Sequence, residues 1–490
     1  MNDKISKRPR LMVAGLKGGS GKTILALGLI RHLSRDRGMA VQPFKKGPDY
    51  IDAEWLRSAA ASGGRQVQCY NLDQFLMDGR NIVRSFLHRS RRADISVIEG
   101  NRGLYDGMDI HGTCSTAELS KLIKSPVVLV MDVTKTTRTA AALALGCRQL
   151  DPEVKLSGVV LNQVGGPRHR RVVTRAIEEY AGLPVLGAIP RMKKDPLPMR
   201  HLGLTPAFEF EECERALDEL ARLISENVDI EAIVKMADEA EGLQTPANMA
   251  GAPETVLDMG PLPEERSCRI GILRDPAFQF YYPENLEALE LAGAELVYLN
   301  ALSDRSLPGV DALYIGGGFP ETQADRLSAN KDFMHQLRER IGQGLPVYAE
   351  CGGLMYLGRS VVWKGRSYPM LDVLAWDFVV GRRPVGHGYS ILEVGEENPY
   401  HAVGKEIRGH EFHYSRPEPA SESEGDRGRF ACRVKRGHGF LEVDGQKMEG
   451  IVHKNVFGTY THIHGLENPD WARAVVEAAL AFSRHGQEGH

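Results

Sequence analysis

Ala14-Gly15-Leu16-Lys17-Gly18-Gly19-Ser20-Gly21-Lys22-Thr23 lies between an apolar run, Leu11-Met12-Val13, and a helical pattern made by Ile24, Leu25, Leu27, Leu29 and Ile30. Strand, glycine-rich loop and helix follow in that order. Glycines let successive backbone N–H groups converge on an anion. The helix that opens after them turns the positive end of its dipole to the same point. At this spacing Lys22 reaches the β- and γ-phosphates of a nucleotide and Thr23 can hold Mg2+. The pattern G-x-x-x-x-G-K-[ST] asks for glycine where this chain has Leu16. Gly15 comes one residue early, and an additional lysine, Lys17, stands in the loop.

Outward from this loop, strand-like and helix-like stretches alternate up to about residue 190, as a parallel α/β sheet requires. Strands are expected at 11–14, 40–44, 95–99, 126–132, 158–162 and 184–189. Several are nearly continuous apolar runs, the pattern of strands buried on both faces. Ligands of such sheets sit at the carboxyl ends of the strands, and polar clusters occur there. One is Lys45-Lys46-Gly47-Pro48-Asp49-Tyr50-Ile51-Asp52, and another runs from Glu99 to Gly107. Asp49, Asp52, Glu99 and Asp106 thus converge on the phosphate site. Mg2+ on a nucleotide takes one or two such oxygens, leaving the others to orient a second substrate or accept a proton. At least one of the four, Asp52 first, is expected to cap a helix or turn instead. Asn162 ends a strand, where its amide either reads a purine edge or serves a turn.

Residues 226–266 break the rhythm and read as a linker: an acidic helical piece runs into Pro246, Pro253, Pro261 and Pro263. A second α/β pattern follows, with strands at 269–274, 294–299, 312–315 and 346–350 and helices at 283–292 and 330–343. The domains are therefore 1–225, 226–266 as linker and 267–490. Cys351 stands on a tight strand-to-helix turn, where a helix N-terminus lowers a thiol pKa. The N–H of Gly352 and a donor from the Gly316-Gly317-Gly318 loop can stabilise an oxyanion. His462 offers a base far downstream, with His464 as the second choice. His410, Glu411 and His413 are read as structural or substrate-positioning residues, not metal ligands.

The chain has 490 residues, more than one core can hold, and a formal net charge of −3. That charge points to neither nucleic acid nor an anionic membrane as partner, and no apolar run approaches the roughly 18 residues of a membrane span. Seven cysteines without C-x-x-C spacing fit a reducing cytoplasm. The basic N-terminus leads straight into the first strand and does not read as a signal peptide.

Several motifs together resemble the cobyrinate a,c-diamide synthase family. They are Pro43 to Asp52, Asn71-Leu72-Asp73, Gly103-Leu104-Tyr105-Asp106-Gly107, Tyr281 to Leu286, Gly316 to Glu321, the segment from Glu350 to Tyr356, and Gly409 to Ser415. The resemblance implies a P-loop synthetase domain similar to dethiobiotin synthetase, fused to a flavodoxin-like class I glutamine amidotransferase domain. It implies ATP and Mg2+ as cofactors, and glutamine and a tetrapyrrole dicarboxylate as substrates. ATP would phosphorylate a side-chain carboxylate, and Cys351 with His462 would release ammonia from glutamine to reach that acyl phosphate between the domains. The a and c acetates would be amidated in turn, most simply on cobyrinate, with siroheme or nickel-sirohydrochlorin as alternative rings. By the same resemblance Lys17, Gly18, Gly19, Gly21, Lys22, Thr23 and Asn162 bind the nucleotide. Thr23, Asp49 and Glu99 hold the metal; Lys45, Asp52 and Asp106 form the acyl-phosphate site; and Gly317, Gly318 and Gly352 form the oxyanion hole. Three departures bear on it. Lys17-Gly18-Gly19 resembles the signature loop of the MinD/ParA partitioning ATPases, which leaves a homodimer and a nucleotide-switch reading open. His464 stands where class I amidotransferases carry a glutamate, which favours a Cys–His dyad. Arg102 stands where an apolar residue is usual, and either touches a substrate carboxylate or makes a surface ion pair.

Overall fold

The computed structural model describes residues 5–61, 65–192, 197, 199–200, 203–204, 207, 210, 212–244, 268–420 and 427–488. The chain divides into two compact units, Met1–Val256 and Leu257–His490. Among the described residues no helix is long and apolar enough to cross a membrane.

The first unit is built on seven strands: β1 (Arg10–Gly15), β2 (Val41–Lys46), β3 (Tyr70–Leu72), β4 (Ile95–Glu99), β5 (Val127–Asp132), β6 (Leu156–Val164) and β7 (Val185–Pro190). They pair in the order β3-β2-β4-β1-β5-β6-β7, all parallel. Every residue of β1 is buried and β4 is buried throughout, so their continuous apolar character is what two-sided burial requires. The glycine-rich loop leaves β1 in the middle of this sheet. Helix α1 (Lys22–Arg31) packs on α2 (Tyr50–Ala60) and on α3 (Cys213–Asn227) through Leu25, Leu29, Trp55, Leu217, Leu220 and Ile224.

The segment read as the start of a linker belongs to this core. Glu226 lies in α3, and α4 (Ile230–Asp238) buries Ile230, Ile233 and Ala237 in the same cluster. Leu243–Gln244 then pairs antiparallel with Ile5–Ser6. An acidic outer face hid an apolar stripe at helical spacing. The rest of that expected linker, 245–266, lies outside the described residues.

The second unit carries β8 (Cys268–Leu273), helix α5 (Pro283–Leu291), β9 (Ala294–Leu299), β10 (Ala312–Ile315), helix α6 (Lys331–Gly342), β11 (Val347–Glu350) and the short helix α7 (Gly352–Leu357). Strands β12 (Gly386–Val394), β13 (Glu406–His413), β14 (Arg429–Arg436), β15 (Gln446–His453), β16 (Val456–Thr459) and β17 (His462–Ile463) follow. The main path is β9-β8-β10-β11-β16-β15-β14-β12-β13-β17. Its first five strands are parallel in the 2-1-3-4-5 order of flavodoxin-like sheets. The rest is antiparallel, an extension the sequence reading did not anticipate. A separate four-stranded sheet joins 366–369, 358–363, 374–380 and 415–419.

Candidate functional site

In the first unit, the carboxyl ends of β1, β2 and β4 bring the expected polar residues together. Gly21 caps α1 with φ 98°, and a Cβ there would lie 2.2 Å from Asn162 Nδ2. The Asn162 amide donates to the Ser20 carbonyl at 3.0 Å, and its oxygen accepts from the Gln163 N–H. Asn162 therefore holds the loop through the Ser20 carbonyl, and its bond to its own neighbour's N–H is of the turn type. Lys22 is buried and donates to the carbonyls of Arg102, at 2.7 Å, and Lys17, at 3.2 Å. Burial lowers its pKa, with Glu99 working the other way. Arg102 contributes that carbonyl while its side chain is exposed, and Lys17 is exposed too.

Thr23 donates to Glu99 at 2.6 Å. Lys45, 1% exposed, reaches Asp52 at 2.5 Å and Glu99 at 3.4 Å, its pairing partner across β2 and β4. Burial works against the Lys45 ammonium, but Asp52, Glu99 and Asp49 outweigh it and hold its pKa above the usual lysine value. Burial pushes Glu99 up to about 7, against the pull of Lys45. Burial and the charge of Asp52 push Asp49 up to about 6. The helix cap is Asp49, not Asp52: its carboxylate accepts the Asp52 N–H at 2.9 Å, while Asp52 sits in the first turn of α2 and turns to Lys45. Asp106 accepts the Gly103 N–H. Asn71, which the site reading passed over, donates to the carbonyls of Gly47 and Asp49 and so fixes the loop. Only the pairing of β3 beside β2 reveals that.

These donors fit a hard divalent cation beside phosphate. Glu99 Oε2 is buried without a hydrogen bond, with the Lys45 ammonium 3.4 Å away, and Thr23 supplies a neutral oxygen beside Oε1 of the same carboxylate. Among the described residues no group of three His, Cys, Asp or Glu forms a self-sufficient metal cage. Such a cation would therefore share its shell with phosphate oxygens.

In the second unit, Cys351 follows β11 with φ 45° and ψ −99°, a backbone conformation rare for any residue with a Cβ. Neighbouring glycines make the turn possible: a Cβ on Gly353 would lie 2.3 Å from the Ile315 carbonyl, and one on Gly352 would lie 2.9 Å from Gly318 N. The elbow and the triglycine loop are thus in backbone contact. A Cβ on Gly317 would meet the His462 ring at 2.4 Å. Elbow, triglycine loop and imidazole therefore surround one point at the carboxyl ends of adjacent parallel strands. The Tyr281 hydroxyl takes the Gly316 N–H at 2.8 Å and ties that loop to Leu273.

Two expectations change here. Burial, then the charge of Glu321, pushes the Cys351 thiol well above its usual value, and the Gly352 N–H opposes this only in part. The Gly352 N–H at the start of six-residue α7 works in the anticipated direction but does not outweigh burial. Nor does His462 stand without a carboxylate: its Nδ1 lies 3.1 Å from Glu350 Oε2. His464, the second candidate base, points away to Glu284 at 3.6 Å and packs on the Tyr282 ring. His410 stacks on His462 with centroids 5.0 Å apart, and burial lowers its pKa far below the usual value. Glu411 accepts the N–H groups of His438 and Gly439, and His413 stacks on Tyr460. The Phe412 carbonyl lies 3.9 Å from the Cys351 sulfur.

Residues 11–204 match the CobQ/CobB/MinD/ParA nucleotide binding domain, and residues 269–470 match the CobB/CobQ-like glutamine amidotransferase domain. The cobyrinate a,c-diamide synthase of Magnetococcus marinus is 40% identical over 464 residues, 95% of this chain and 96% of that one. That of Archaeoglobus fulgidus is 40% identical over 473 residues, covering 96% and 98%. That of Methanosarcina acetivorans is 38% identical over 505 residues, covering 97% and 96%. With a nucleotide-binding domain and a glutamine amidotransferase domain in one chain, and with relatives alike along nearly their whole length, this protein belongs to the cobyrinate a,c-diamide synthase family of glutamine-dependent, amide-forming ligases.

Proposed function

We propose that this chain converts cobyrinate to cobyrinate a,c-diamide, using ATP to activate each acetate and glutamine to supply each nitrogen. The observation that carries the reading is the pairing, in one chain, of a Lys22–Thr23–Glu99–Lys45 array at a phosphate loop with a strained cysteine elbow beside a histidine.

Cys351 gives its proton to His462, and the sulfur attacks the side-chain amide carbon of glutamine. The N–H groups of Gly352 and of the Gly317–Gly318 loop receive the charge on the amide oxygen. His462 returns the proton to the departing nitrogen, the C–N bond breaks, and ammonia leaves a thioester that water hydrolyses to glutamate. At the other site the glycine-rich loop, with Lys17, Gly18, Gly19 and Gly21, cradles the triphosphate. Lys22 holds the β- and γ-phosphates, and Lys45 and Asp52 face the carboxylate that takes the γ-phosphoryl group. Ammonia attacks the acyl phosphate, and phosphate leaves as the amide forms. Mg2+ would be held by Thr23, Glu99 and Asp49, and supplies charge neutralisation on the phosphates. The raised pKa of Glu99 fits a carboxylate that ionises fully only beside added positive charge.

The test offers cobyrinate, hydrogenobyrinate, siroheme and nickel-sirohydrochlorin separately with ATP and glutamine, and weighs the products. Each amide replaces OH by NH2. Cobyrinate is expected to show two successive mass decreases of that size. Conversion of another ring in preference to cobyrinate would overturn the substrate assignment and leave the two-site chemistry standing.

A further inference from the structure

We infer that Glu350 is the positioning carboxylate for His462, standing in for the glutamate that is missing two residues after the histidine. The inference rests on the reading of Cys351 as nucleophile and His462 as base.

Glu350 is fully buried at the end of β11, immediately before the elbow cysteine. Its Oε2 lies 3.1 Å from His462 Nδ1 and accepts the Tyr314 hydroxyl at 3.2 Å, while Oε1 takes the Ile463 N–H at 3.4 Å. A bond at Nδ1 fixes the tautomer and leaves Nε2 on the side of Gly317 and the oxyanion loop. A second layer holds the arrangement. The Asn285 amide donates to Tyr314 and to the Ile463 carbonyl, and its oxygen accepts the Gly465 N–H at 2.7 Å. Three strands therefore meet at this carboxylate, and helix α5 braces two of them through Asn285.

Charge makes the case stronger than orientation alone. Among the described residues no lysine or arginine lies within ion-pairing distance of Glu350; His462 is its one potential counter-cation. A buried carboxylate without a permanent cation is destabilising. It gains its partner when His462 takes the proton of Cys351. The interaction is thus strongest in the charge-separated state that leads to thioester formation. The neighbouring His464 is occupied with Glu284, so each histidine has a carboxylate of its own.

Glu350→Gln tests this in the full-length enzyme with cobyrinate and ATP. The amide keeps the size and an oxygen that accepts from Nδ1, and removes the charge. Glutamine-dependent kcat is expected to fall about 100-fold with glutamine KM retained. The rate with ammonium chloride, which bypasses the elbow, serves as internal reference. A kcat within about threefold of the parent overturns the inference, as does a parallel fall in the ammonia-supported rate. If Glu350→Gln does not fold, Tyr314→Phe removes one fixing bond and leaves the carboxylate. A severalfold loss of glutamine-dependent kcat at constant KM is then expected, and an unchanged kcat overturns the inference. A Cys351→Ala control separates the two levels. Should that variant still use glutamine, the underlying reading fails, whatever Glu350 does.

Discussion

Glu449 illustrates what burial does to one carboxyl group near the sulfur. Burial pushes its pKa from 4.5 up to about 8, although the Gly450 and Tyr460 N–H groups donate to Oε1. Between those two values the unfolded chain has lost this proton and the folded chain still holds it. Stability contributed at this site therefore falls as pH rises from about 4.5 to about 8. Glu449→Gln keeps the acceptor and removes the titration. Its urea midpoint, relative to the parent, is expected to rise across that window; a constant difference would contradict the assignment. Other single residues divide by how they were legible. Lys22, Thr23 and Cys351 stand out in the sequence, because a glycine-rich loop before a helix and a cysteine between a strand and two glycines are patterns of fixed residue types at fixed spacings. Glu350 and Asn71 do not, because their roles arise from cross-strand register: Glu350 pairs with Thr459, and Asn71 with Lys45. Asp49 and Asp52 both stand near the start of α2, and only backbone geometry decides which of them caps the helix.

At the scale of elements, the crossing of α1 and α3 depends on Gly28. A Cβ there would lie 2.4 Å from Ile224 and 2.6 Å from the Leu220 carbonyl. Alanine gains about 1 kcal/mol of helix propensity over glycine. Overpacking against a backbone carbonyl costs about 1–3 kcal/mol and decides the sign. Gly28→Ala is expected to lower the urea midpoint and Tm, and a raised Tm would show that α3 can shift away. The parallel strands were legible because burial on both faces makes each a continuous apolar run with polar residues at its carboxyl end. The antiparallel extension was not. Its strands alternate buried and exposed residues, as in β12 and β14, and carry charge on the outer face. Helix α4 reads as linker in the sequence for a related reason: its acidic face dominates the local composition, and its apolar stripe has meaning only against the core it covers.

The whole molecule joins two reactions that are each of little use alone. An acyl phosphate in water hydrolyses, and glutamine hydrolysis without an acceptor wastes nitrogen. The most direct test separates them by nitrogen source. The Cys351→Ala enzyme is given ATP, cobyrinate and either glutamine or ammonium chloride, and diamide is measured. Glutamine is expected to support no detectable product, while ammonia supports synthesis at a rate comparable to that of the parent with ammonia. Loss of both activities in a folded variant, or continued use of glutamine, would contradict that expectation.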